Sequence, residues 1–308
     1  CLVPIIATKA EQVVLIGDHK QLQPIIMCRE AAELGLEKSM FERHVLSQSR
    51  DRNNVQYTLL EIQYRMHPRL CDFPSKEFYE NKLETGHSYY WQEGSWREGI
   101  NGQPDIWIDR PLKMWSNKNS PHVFCHIEGQ ENILTVATEE GNEQSRSNKE
   151  EVNQMIKIFT HMVNIELVDS DRINVVSQYN AQCYELREAL TKQGFVNFNV
   201  NTVVASQGGE WDYVLFSTVR SLPEYMIERN PTLGWCKMNL GFITDHHQIN
   251  VALTRARKGL VIVGNRNLLQ CDEVWKRLIA LYEQRGCVKT AGEFPPKVSR
   301  RERRKNRR

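Results

Sequence analysis

Val13–Ile16 is a continuous apolar run, and three further strand-like segments, Ile173–Val176, Tyr213–Ser217 and Leu260–Val263, recur between stretches whose apolar residues fall at helical steps. A strand that stays apolar at successive positions is one buried on both faces, the pattern of a parallel sheet covered by helices. The alternation predicts an α/β fold with a mostly parallel sheet and helices on both faces. Ligands of such sheets bind beyond the carboxyl ends of the strands, so the residues after each strand carry the functional question.

Helices are predicted at Ser39–Leu46, Ser147–Val163, Ala181–Gln193, His247–Arg257 and Val274–Gln284, with Gly194 and Gly286 as stops. In the second, Val152, Met155, Ile156, Phe159 and Val163 share a face, and Ser147 is the expected cap, with Glu150 three positions on. Val123–Ile127 reads as a further strand, and Val55–Leu60 alternates like one. At 308 residues the chain can hold one complete domain plus a piece of another, and the border is expected near Leu60, giving 1–60 and 61–296. Residues 87–121 break the rhythm and hold Trp91, Trp96, Trp107 and Trp115 among Arg97, Arg110 and Lys113. Such aromatics stack on bases or pin a long loop to the core, and pinning is the expectation here.

The net charge of +2 conceals an asymmetry: residues 297–308 hold eight Lys/Arg and one Glu, a local +7, which leaves minus five on residues 1–296. That basic tail cannot bury itself; it is expected to be disordered, and either binds phosphates, a protein partner or a nuclear import receptor or simply solubilises the chain. No apolar run approaches the length of a bilayer crossing, and no membrane partner is expected. The eight cysteines are scattered without a C-x-x-C pair, which points to reduced thiols in the cytoplasm or nucleus. His122, Cys125 and His126 lack a second ligand pair and read as strand residues, not a metal site.

Four clusters carry chemistry. Gly17-Asp18-His19-Lys20-Gln21-Leu22-Gln23-Pro24 follows the first apolar run and offers a tight exit, a carboxylate and an amide able to orient a water or sense a phosphate oxygen. Gln63-Tyr64-Arg65-Met66-His67-Pro68 sets an aromatic face beside a guanidinium. Gln207-Gly208-Gly209-Glu210 precedes a strand, and Asn250-Val251-Ala252-Leu253-Thr254-Arg255-Ala256-Arg257 is expected on a helix. Singly, each has a bland explanation: turn, loop, turn and amphipathic helix.

Their succession resembles the second half of the superfamily 1 helicases, in the up-frameshift-like (DNA2/NAM7-type) branch, and within it the helicases with zinc finger domains. GDHKQLQP matches motif III, QYRMHP motif IV, SQYNAQ the nucleic-acid-contact motif that follows, QGGEWDYV motif V and NVALTRARKGLVIVGN motif VI. The resemblance covers almost the whole chain. It implies a RecA-like P-loop NTPase fold, with residues 1–60 the remnant of a first RecA-like domain and 61–296 a complete second one. It also implies an ATP- and Mg²⁺-dependent helicase that acts on single-stranded RNA or DNA, RNA favoured. Gln21 would couple the γ-phosphate to domain movement, and Asp18 would support that loop. Arg65 and Arg255 would act as arginine fingers, neutralising charge on the transferring phosphoryl group. Tyr64 would lie against the nucleotide, Gly208 would line its site, and Glu210 would accept from the ribose hydroxyls. Ser177, Tyr179, Asn180, Thr202 and Gln207 would face the nucleic-acid backbone, which uncharged donors bind without reading sequence. A surface salt bridge for Arg255, a packed loop aromatic for Tyr64 and a structural role for Arg257 are the alternatives.

Three positions depart from the branch: Val204 where Asp is common, Gly209 where Arg is, and Gln178 where Pro is. The 308 residues contain no G-x-x-x-x-G-K-[ST] and no Walker B acidic segment; the pair Asp272-Glu273 has the wrong context. The chain is therefore expected to begin just after those elements, to leave the Mg²⁺ ligands outside it, and to be inactive alone. The competing reading is a non-hydrolysing module that binds nucleic acid or protein, or a piece of a transcriptional coactivator.

Overall fold

The computed structural model describes residues 2–26, 28–48, 58–86, 111–138 and 141–297. Two compact units divide the chain, Cys1–Glu61 and Ile62–Arg308. The first contains helices α1 (Leu2–Thr8), α2 (Arg29–Glu33) and α3 (Met40–Gln48) and, among its described residues, no strand. The strand expected at Val13–Ile16 is absent, and Val14 and Ile16 stand 85% and 92% exposed. A buried strand needs neighbours to close its backbone hydrogen bonds, and this unit supplies none. Residues 58–60 are likewise not in a strand, and 55–57 lie outside the described residues.

The second unit opens with the short parallel pair β1 (Ile62–Gln63) and β2 (Glu84–Thr85), separated by α4 (Pro68–Phe78). His67 caps α4: its Nδ1 accepts from the Arg69 N–H at 3.1 Å, and Pro68 takes the first helical position, where its missing N–H costs nothing. Then come β3 (His122–His126), the hairpin β4 (Glu131–Thr138) and β5 (Gly141–Asn148), α5 (Lys149–Asn164), β6 (Ile173–Ser177), α6 (Asn180–Lys192), β7 (Asn199–Thr202) and β8 (Trp211–Ser217). The chain continues with α7 (Leu233–Leu240), α8 (His246–Leu253), β9 (Ala256–Gly264), α9 (Arg266–Leu269), α10 (Glu273–Gln284) and β10 (Val288–Thr290). Six strands form one parallel sheet in the order β10-β3-β9-β8-β6-β7. This is the doubly covered α/β arrangement of a RecA-like fold.

Strand alternation sorts the core into two layers. Val123, Cys125, Val175, Leu215, Val261 and Val263 pack with Met155, Phe159 and Met162 of α5 and Leu186 and Leu190 of α6. Phe216 points to the other face, where its ring lies 6.1 Å from that of Trp275 on α10. His122 stacks on Tyr282 of α10 at 4.1 Å, and burial pushes its pKa down to about 3. No group of three His, Cys, Asp or Glu side chains able to hold a metal ion occurs among the described residues.

Several boundaries differ from the sequence expectation. Asn148, not Ser147, caps α5, accepting from the Glu151 N–H at 3.2 Å, because the Ser147 hydroxyl is taken by Glu185 at 2.6 Å. The helix expected through Arg257 stops at Leu253: the Thr254 hydroxyl donates back to the Asn250 carbonyl at 2.8 Å, and Ala256 is already paired with Trp211. Of the tryptophan-rich stretch, Trp91, Trp96 and Trp107, with Arg97 and Arg110, lie outside the described residues. Trp115 is buried and lies over Gly259, with its ring 6.5 Å from that of Tyr213. The basic tail from Val298 on is also outside the described residues.

Candidate functional site

At the amino ends of β8 and β9, segments far apart in sequence converge. Gln63 builds the turn after β1: its Oε1 accepts from the N–H groups of Arg65 at 2.9 Å and Met66 at 2.7 Å. Its Nε2 donates to the Met66 carbonyl at 2.9 Å and to the Thr85 hydroxyl at 2.6 Å. With every polar atom of Gln63 engaged, the turn is fixed and sends Tyr64 and Arg65 outward. Arg65 Nε donates to Glu210 Oε2 at 2.8 Å and its Nη1 to the Thr254 carbonyl at 3.2 Å. Arg257 Nε lies 3.8 Å from the other oxygen of Glu210, while the Arg257 carbonyl accepts from the His67 N–H at 2.8 Å.

Arg255 is built in differently. It is 1% exposed, and its Nε donates to the Val251 carbonyl at 3.0 Å, Nη1 to the Gly209 carbonyl at 3.2 Å and Nη2 to the Thr254 hydroxyl at 2.9 Å. Its carbonyl in turn accepts from the Trp211 N–H at 3.1 Å. Two guanidinium groups, those of Arg65 and Arg257, thus flank one carboxylate and keep part of their surface in water, while the buried Arg255 holds the carbonyl of the adjacent Gly209. That is an environment for an anion with several oxygens. Tyr64 stands 68% exposed, its ring resting over Gly86, where no Cβ fits. Gly208 has φ +79, a left-handed conformation that glycine adopts without strain. The space beside Gly209 is filled by the Trp211 ring.

The cluster precedes β8 and β9, so it sits at the amino edge of the sheet, while the strand pattern alone directs attention to the carboxyl edge.

The carboxyl edge collects most of the other predicted residues. Ser177 and Thr202 end the paired strands β6 and β7, with Ser217 beside Ser177. Ser177 is fully buried, its hydroxyl accepting from the Tyr179 N–H at 3.4 Å, and Tyr179 is 7% exposed. Asn180 is exposed at the start of α6, and the Thr202 hydroxyl accepts from the Ala205 N–H at 3.1 Å. Gln207 is exposed in the loop from β7 to β8, three residues before Glu210, and so belongs to the return toward the amino edge. Asn180 and Thr202 are therefore the two predicted residues that this edge offers to solvent.

The same edge carries a buried polar network that sequence reasoning missed. Glu151 accepts from the Ser217 hydroxyl at 2.6 Å and the Val219 N–H at 2.9 Å, and burial pushes its carboxyl up to about 8. Gln182 donates to the Ser217 hydroxyl at 2.8 Å and accepts from the Asn148 N–H at 2.9 Å. Val219 adopts φ +68, held there by Asn148 Nδ2 on its carbonyl at 3.1 Å. Beside it, Glu131 binds Arg220 at 2.9 Å and Arg146 at 2.7 Å, tying the hairpin to the end of β8. The one sequence signal was Glu151 on the apolar side of α5.

In the first unit, Asp18 and Gln21 meet. Asp18 Oδ2 accepts from Gln21 Nε2 at 2.8 Å, and its Oδ1 from the Lys20 N–H at 2.9 Å, so the carboxylate orders the turn that carries Gln21.

The AAA_12 family model, described as an AAA domain, matches residues 36–267. The chain is 37% identical over 293 residues to 3'-5' exoribonuclease HELZ2 of Homo sapiens, covering 95% of this chain and 9% of that protein. It is 35% identical over 294 residues to Regulator of nonsense transcripts 1 homolog of Arabidopsis thaliana, covering 94% and 20%. It is 32% identical over 294 residues to ATP-dependent helicase NAM7 of Saccharomyces cerevisiae, covering 94% and 26%. The chain thus spans about a tenth to a quarter of these relatives' own lengths.

Proposed function

This chain belongs to the AAA_12 family of AAA domains, in its up-frameshift-like superfamily 1 helicase branch, and on that premise we propose that it is the C-terminal helicase unit of an enzyme that couples ATP hydrolysis to movement along single-stranded nucleic acid, RNA favoured. The observation that carries the proposal is the amino-edge cluster, where Arg65, Glu210 and Arg255 come together on one hydrogen-bonded scaffold.

In this reading the triphosphate lies against the cationic cluster and the nucleoside against Tyr64 and Gly208. Arg65 turns from Glu210 to the γ-phosphate, and Glu210, released, accepts from the ribose hydroxyls. Arg257, already beside Glu210, steadies its charge once Arg65 has left. Arg255 holds the Gly209 and Val251 carbonyls in place, so it fixes the frame on which Arg65 and Glu210 act, and contacts phosphate only by exchanging those partners. Within the first unit, Asp18 orders the turn that carries Gln21, an amide suited to sensing a phosphate oxygen. Asn180, Thr202 and Gln207 bind the nucleic-acid backbone. The residues present suit the anionic and nucleoside parts of ATP, whereas the 308 residues hold no G-x-x-x-x-G-K-[ST] loop to wrap the phosphates. Action in the cytoplasm, the nucleus or both follows from a nucleic-acid substrate.

The test is ATP hydrolysis by the complete protein that contains this chain, with and without single-stranded RNA. Stimulation by RNA that disappears in Arg65→Ala supports the proposal. Hydrolysis indifferent to both RNA and Arg65 overturns it.

A further inference from the structure

Phe242 is an aromatic ring held out in water by a turn that is otherwise locked down. It is 64% exposed, yet Leu240 and Ile243 on either side are fully buried. Trp275 Nε1 donates to the Ile243 carbonyl at 2.8 Å, and Gln178 Nε2 donates to the carbonyl of Phe242 itself at 2.9 Å. Gly241 has φ +60 and approaches Arg220 so closely that a Cβ there would lie 2.7 Å from Nη1 of that residue. One flank of the Phe242 ring tilts against Tyr179, centroids 6.4 Å apart at 53°. A loose loop would fold such a ring away from water; this turn cannot, because each neighbouring backbone position is anchored.

The surroundings say what the ring is for. Tyr179 and Gln178 lead directly into exposed Asn180 at the carboxyl edge of the sheet. Gln178 spends its amide nitrogen on the Phe242 carbonyl and its Oε1 is enclosed, so this side chain serves to seat the turn. Lys237 is exposed on α7, just before the turn. An exposed aromatic face on a locked turn, with a cation just before it, makes up a seat for one nucleotide of a single strand, since every base has a π-face and stacking tolerates any sequence.

We propose that Phe242 is a base-stacking platform for single-stranded nucleic acid running along the carboxyl edge, with Gln178 seating the turn that presents it. The proposal rests on the nucleic-acid part of the function proposed above and adds to it a residue outside the clusters that carry the family resemblance.

The experiment measures binding of short fluorescent oligo-U and oligo-dT to the 308-residue chain at fixed salt, for wild type, Phe242→Ala, Phe242→Leu and Phe242→Trp. Loss of one stacked base weakens affinity about tenfold. Alanine and leucine are expected to lose about that much on both oligomers, and tryptophan to restore binding. A thermal melt shared by all four proteins confirms that the exposed position leaves folding alone. If wild type binds and Phe242→Ala binds equally well, the platform is wrong while the nucleic-acid reading stands. If Phe242→Leu matches wild type, the ring serves a general apolar contact such as a protein partner, and stacking is overturned. If wild type binds neither oligomer, the nucleic-acid reading falls and the platform falls with it.

Discussion

Arg65 Nε lies 2.8 Å from Glu210 Oε2 across 145 positions of sequence, and both side chains keep about a third or more of their surface in water. A pair so exposed is worth little to stability, roughly 0–1 kcal/mol. Its weight is positional. Arg255, a neighbour in the same cluster, is the reverse case: buried, with two backbone carbonyls depending on it. Arg65→Ala should therefore lower the unfolding free energy measured in urea by less than about 1 kcal/mol, whereas Arg255→Ala should cost about 2–4 kcal/mol by leaving buried acceptors unmet. Equal losses in the two denaturation curves would contradict this division of labour.

Hydrolysis should separate the same residues in another way. In the complete protein, Arg65→Ala should lower kcat by about 10³-fold and leave nucleotide affinity near wild type, since a finger acts on charge that develops in the transition state. Lysine should rescue little, because the forked guanidinium is what matches phosphoryl oxygens. Steady-state kinetics on the two variants, with KM and kcat resolved, checks both statements.

Gly209 departs from the arginine common in the branch, and Trp211 explains the difference, since its ring fills the space a side chain at 209 would need. Gly209→Arg should destabilise by about 1–3 kcal/mol through overpacking. Adding Trp211→Ala should recover part of that loss, giving a coupling energy above about 0.5 kcal/mol in a double-mutant cycle. Strict additivity would show that the ring moves aside freely.

Glu151 makes stability depend on pH. Its carboxyl titrates near 4.5 when unfolded and is pushed to about 8 by burial in the fold, so between those values the folded state holds the extra proton. The stability it contributes is complete below the lower value and is lost as pH rises through the higher one. Glu151→Gln should remove that dependence and gain on wild type between about pH 5 and pH 8, each kcal/mol appearing as about 2–4 °C in Tm. Thermal melts at the two pH values would show a constant gap if the carboxyl were ionised throughout.

His67 works with the opposite sign. Burial lowers its pKa to about 4, and its neutral ring nitrogen caps α4. Its contribution is present above the ordinary value of 6.5 and is lost as pH falls through about 4. His67→Ala should cost about 1 kcal/mol near neutrality and close to nothing at the acid end, as equilibrium denaturation at both pH values will tell.

The apolar runs at Ile173–Val176, Tyr213–Ser217 and Leu260–Val263 announced their strands because a centre buried on both faces admits few other residues. Val13–Ile16 has the same composition and no strand, for a ladder depends on neighbours that composition cannot supply. The hairpin from Glu131 to Asn148 went unread because its second strand, GNEQSRSN, has neither β-branched nor aromatic residues. The motif residues were visible as clusters, but their convergence was not. Arg257, unassigned from sequence, lies beside Glu210, and Phe242 sits in a turn that no pattern marked. Burial decided the rest: Ser177 and Arg255 carry the right chemistry for a surface role and are enclosed, which only packing reveals.

The cationic cluster and the solvent-facing Asn180 and Thr202 occupy opposite margins of one sheet, joined by β8, whose seven residues extend roughly 20 Å. The material between them is close-packed side chain on both faces and has almost no compressibility. A push at either margin therefore arrives at the other as displacement of the whole slab.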